Sequence, residues 1–82
     1  MFVMLIVFLL GVITMPESCA LIIDALIEER HKKGFTQKQI AELTGFSQSV
    51  IARIESKKTI PQLDTLIKVA SALECKIEIA PI

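Results

Sequence analysis

Gln48, Ser49, Ala52 and Arg53 carry the most legible chemistry in this chain. At about 100° per residue they gather on one side of a helix, while Val50, Ile51 and Ile54 gather on the other. A glutamine amide donates and accepts at once, so it can pair bidentately with adenine, and an arginine fork can pair with O6 and N7 of guanine. Ser49 can bond either kind of base and discriminates less. Ala52, small and apolar, can pack on a thymine methyl. The chemistry on offer is therefore contact with base edges, which a helix delivers because it fits the major groove.

The flanking residues supply the elements that would hold this face. Thr36 is placed to N-cap a helix from Gln37 to about Thr44. Gly45 breaks that helix where a left-handed backbone angle is easiest to adopt. Ser47 then caps a second helix, from Gln48 to about Ser56. Helices this short are marginal alone and must share an apolar seam. Ile40, Ala41 and Leu43 are expected to turn inward from the first, and Val50, Ile51 and Ile54 from the second. Ala41 is small enough to let the two cross closely. By spacing and composition this is a helix-turn-helix. Gln37 opens the first of these helices, where free backbone N–H groups favour a phosphate oxygen. Lys57, Lys58 and Thr59 lie beyond the second and are expected to touch backbone phosphates. Lys38 either adds a contact of that kind or simply faces solvent. Phosphate contacts would position the unit and base contacts would select the site.

Thr36-Gln37, Ala41, Gly45, Ser47-Gln48, Ile51, Ile54 and Glu55, with Pro61 closing the next loop, resemble the phage-repressor and Cro (XRE-type) helix-turn-helix domain. The resemblance runs from about Leu21 to Leu73. Members are DNA-binding repressors, among them the antitoxins of toxin–antitoxin pairs. It implies base reading at Gln48, Ser49 and Arg53, and an ion pair between Arg30 and Glu55. It also implies a double-stranded operator and, for an antitoxin, a cognate toxin. Because one copy would make few contacts, a homodimer is expected on that operator. Family members often have glycine where Lys57 stands. No cofactor, metal site or catalytic residue is expected, and no enzymatic activity.

Ahead of this unit, a helix is expected from Ser18, as its cap, to Lys33, with Gly34 ending it. Ile23, Leu26, Ile27 and Arg30 follow the i, i+3, i+4, i+7 spacing of a buried stripe. Because the stripe ends in a charge, Arg30 either snorkels to solvent beside Glu28 and Glu29 or makes the pair with Glu55 that the resemblance implies. After the loop Thr59–Gln62, residues Leu63, Leu66, Ile67, Ala70 and Leu73 recur at helical spacing and should close the core. From Cys75 the period changes. Lys76, Ile77, Glu78 and Ile79 alternate polar and apolar, the pattern of a half-buried strand that needs a mate for its backbone. The expected fold is thus all-α, a compact four-helix repressor-like domain over residues 18–74. A C-terminal β-strand over 75–82, to which the resemblance gives a role in dimerisation or partner binding, and an apolar N-terminal extension over 1–17 complete it.

Composition sets bounds on this picture. The formal net charge is zero, so nothing draws the whole chain to a polyanion. Locally, between Gln37 and Lys58, the bases Lys38, Arg53, Lys57 and Lys58 face only the acids Glu42 and Glu55. Cys19 and Cys75 lack metal-ligand spacing and read as reduced thiols of a cytoplasmic protein. His31 is the only histidine and reads as a solvated helix-end residue. The uncharged run from Met1 to Met15 falls short of the about 20 apolar residues that span a membrane. It also lacks the basic start of a signal peptide. The expectation is that Met15 is the native start and the residues before it an upstream extension. The alternatives are an element buried in a dimer and a weak membrane anchor.

Overall fold

The computed structural model describes residues 15–82. The apolar run before Met15, with the expectations placed on it, lies outside the described residues. Four helices follow in order: α1 (Glu17–Lys32), α2 (Gln37–Thr44), α3 (Gln48–Glu55) and α4 (Leu63–Ala72).

Helix α1 begins at Glu17, with Pro16 in the cap position and no side-chain cap, so Ser18 lies inside the first turn rather than before it. A proline fixes its own φ near helical entry, and Glu17 sits well against the positive end of the helix dipole. The helix closes through Gly34 at φ 75°. There the N–H of Gly34 donates to the His31 carbonyl and that of Phe35 to the Arg30 carbonyl, satisfying acceptors that a helix end leaves open.

Thr36 and Gln39 form a reciprocal capping box on α2. The Gln39 N–H donates to Thr36 Oγ1 at 3.0 Å and the Thr36 N–H to Gln39 Oε1 at 2.8 Å. Gly45, at φ 80°, ends α2 and turns the chain toward α3. Ser47 Oγ accepts from the Val50 N–H and caps α3. After α3 the chain turns through Lys57 at φ 59°, the left-handed region where glycine costs least.

The core gathers Ile23 and Leu26 from α1, Ile40 and Ala41 from α2, Ile51 and Ile54 from α3, and Leu66, Val69, Ala70 and Leu73 from α4 and its end. Helix α2 packs on α3 and on α4, and α1 packs on α3. Three expected core residues lie outside it: Leu43, Leu63 and Ile67 are exposed. Two stripes overlap on α4, and both satisfy helical spacing. The one through Leu66, Val69, Ala70 and Leu73 faces α2, which rolls Leu63 and Ile67 outward. Leu43 follows the same logic: Ile40 and Ala41 already fill the contact with α3 and α4.

The expected C-terminal strand is corrected. Among the described residues there is no strand, and the fold is all-α. An extended segment becomes a strand only when another backbone lies alongside to bond it. Here the Cys75 N–H turns back to the Ala70 carbonyl at 2.8 Å instead. The alternation is still used in part. Cys75 and Ile77 pack against the core, Lys76 and Glu78 pair outside it at 2.8 Å, and Ile79 and Ile82 are fully exposed.

Candidate nucleic-acid interface

One face of α3 stays open while the other is sealed. Ile51 and Ile54 are buried and Val50 is half-buried, whereas Gln48, Ser49 and Arg53 are exposed and Ala52 is half-buried between them. The amphipathic pattern that anchors the helix is therefore what presents these side chains. Ser47 caps α3 at the end where Gln48 and Ser49 project, the end a helix inserts into a groove.

The far end of α3 is fixed by a bidentate ion pair. Arg30 Nε donates to Glu55 Oε2 at 2.7 Å and Nη2 to Oε1 at 2.9 Å. Arg30 therefore ends its apolar stripe in a partner rather than in solvent, and the two side chains are only 12% and 15% exposed. Two further contacts engage the fork: Nη1 donates to the Phe35 carbonyl and Nη2 lies 2.9 Å from His31 Nε2. Glu55 Oε1 takes a third donor, Nε2 of Gln37, at 3.0 Å. One carboxylate thus joins the end of α1, the start of α2 and the end of α3. No buried side-chain polar atom among the described residues is left without a partner.

The residues expected at phosphates divide into two groups. Lys38, Lys58 and Thr59 are exposed. Gln37 is half-buried with its amide on Glu55, so its side chain is engaged inside the protein. Lys57, on its left-handed turn, reaches back to α1 and donates to Asp24 Oδ1 at 2.6 Å. Asp24 was not foreseeable as a member of this site, because it lies 33 residues from Lys57 and no spacing rule connects them. A second unforeseen contact steadies the turn before α3, where Lys68 lies 5.5 Å from the centre of the Phe46 ring.

Among the described residues, no group of three or more His, Cys, Asp and Glu is placed to hold a metal, and Cys19 and Cys75 are free thiols. No helix among them is long and apolar enough to cross a membrane.

A helix-turn-helix family model, HTH_3, matches residues 26–79, which include α2, the turn, α3 and α4. The chain belongs to this helix-turn-helix family. It is 43% identical over 61 residues to an uncharacterized HTH-type transcriptional regulator of Haemophilus influenzae. That match covers 74% of this chain and 62% of the relative, so the chain spans less than two thirds of the relative's length. Among solved structures, it resembles a chain from a toxin–antitoxin module of Streptococcus pneumoniae, with a TM-score of 0.66 and 44% identity. The likeness covers 80% of this chain and 72% of that one.

Proposed function

We propose that this protein is a sequence-specific DNA-binding transcriptional regulator, a repressor that acts as a cytoplasmic homodimer with α3 in the major groove. The observation that carries the reading is the open face of Gln48, Ser49, Ala52 and Arg53 on a helix whose opposite face and far end are locked. Gln48 and Arg53 make the selective contacts, Ser49 and Ala52 the supporting ones. Lys38, Lys58 and Thr59 meet phosphates, with Gln37 and Lys57 joining them once released from their protein partners. A single protomer makes few contacts, so useful affinity comes from two copies on half-sites about one helical turn, roughly 34 Å, apart. The C-terminal segment, with Ile79 and Ile82 bare, is the surface offered to the second copy or to a partner protein.

A second reading draws on the Streptococcus pneumoniae likeness: an antitoxin that binds a toxin protein and represses its own operon. The two readings share the DNA step and differ in the partner. A gel shift with the duplex upstream of the protein's own gene, against an unrelated duplex, tests the shared step. Tighter binding to the first is expected. Equal, weak binding to both would instead mark a helix-turn-helix used for protein interaction. Copurification with the product of the neighbouring gene tests the antitoxin reading.

A further inference from the structure

We infer that Asp24 sets the strength of DNA binding by competing with phosphate for Lys57. The inference rests on the DNA-binding reading above and adds to it a residue of α1 that has no place among the base or phosphate contacts. Lys57 sits two residues past the end of α3, next to Lys58 and Thr59, where a cation would meet the sugar–phosphate backbone. Its backbone adopts φ 59°, a conformation that is costly for a residue with a Cβ. Its ammonium is held 2.6 Å from Asp24 Oδ1, with the two side chains 37% and 51% exposed.

Both groups are wet, so the pair is weak and easily exchanged. A phosphate oxygen offers Lys57 the same charge-assisted bond that Asp24 offers. Exchange therefore costs the protein one surface ion pair and leaves an uncompensated carboxylate near the duplex. Both effects work against binding, and neither depends on base sequence. Asp24 acts as a brake on affinity rather than on selectivity. By contrast, Glu55 holds Arg30 at 12% and 15% exposure and is not available for such an exchange.

The test is a binding cycle with full-length wild type, Asp24→Asn, Lys57→Ala and the double variant. Each is titrated at several salt concentrations onto the upstream duplex and onto an unrelated duplex of equal length. Asp24→Asn is expected to tighten binding to both duplexes by about 3- to 10-fold. It should also steepen the salt dependence by up to about one unit, because no freed carboxylate takes up a cation when Lys57 moves to a phosphate. In the Lys57→Ala background the same substitution should give little gain. Thermal melts of Asp24→Asn should match wild type to within a few degrees, since the residue is exposed. Unchanged or weaker binding by Asp24→Asn overturns the proposal while the DNA-binding reading stands. So does a gain that survives in Lys57→Ala. No binding of wild type to either duplex at the lowest salt overturns both.

Discussion

Two ion pairs tie α1 to the end of α3, and they differ in almost everything except length. Arg30–Glu55 closes at 2.7 Å and Lys57–Asp24 at 2.6 Å. The first is mostly buried, bidentate and joined by Gln37. The second is exposed, single and borne on a left-handed turn. Distance alone would rank them equal. Burial separates them: a charge removed from water and fully hydrogen-bonded cannot lose one partner cheaply, whereas a wet charge can trade a carboxylate for water or another anion. The lesson is that the inner pair builds the domain and the outer pair is free to respond to what the domain meets.

The comparison can be broken most readily at the inner pair. Arg30→Ala and Glu55→Ala are each expected to lower stability by about 2–4 kcal/mol, below the 3–5 of a fully buried pair because some water remains. Their double variant should cost much less than the two single costs combined, as urea denaturation would show. Additive costs would place the inner pair in the same class as the outer one. Gln37→Ala comes next, at about 0.5–1.5 kcal/mol, because Glu55 loses one donor and keeps Arg30. Smallest is the outer pair. Asp24→Asn and Lys57→Ala should each change stability by about 0–1 kcal/mol, with the difference shrinking as salt is raised. Lys58→Ala sharpens the contrast from another side. It should leave the melt unchanged and weaken binding to every duplex alike, with a shallower salt slope.

The helix-turn-helix was readable in the sequence because its signals are local. Thr36, Gly45 and Ser47 each act within a few residues of themselves, and α2 and α3 have the bounds those residues imply, to within one residue at the end of α3. The choice between two valid stripes on α4 was not readable, since only packing against α2 decides it. The C-terminal alternation misled for a related reason. Alternating polarity states which side chains want burial but says nothing about whether a second backbone lies alongside. Lys57 shows the same limit within the candidate site. Its charge and position pointed to phosphate, while its present partner comes from a helix far away in the chain.

The central claim is that the exposed face of α3 reads bases. It is tested most directly by measuring wild type and Arg53→Ala against a set of operator duplexes, each changed at a single base pair. Wild type is expected to lose about 1–3 kcal/mol at particular positions, and Arg53→Ala to lose its preference at one of them per half-site while keeping the rest. An unaltered preference at every position, with Arg53→Ala folded and binding, would contradict the assignment of that face.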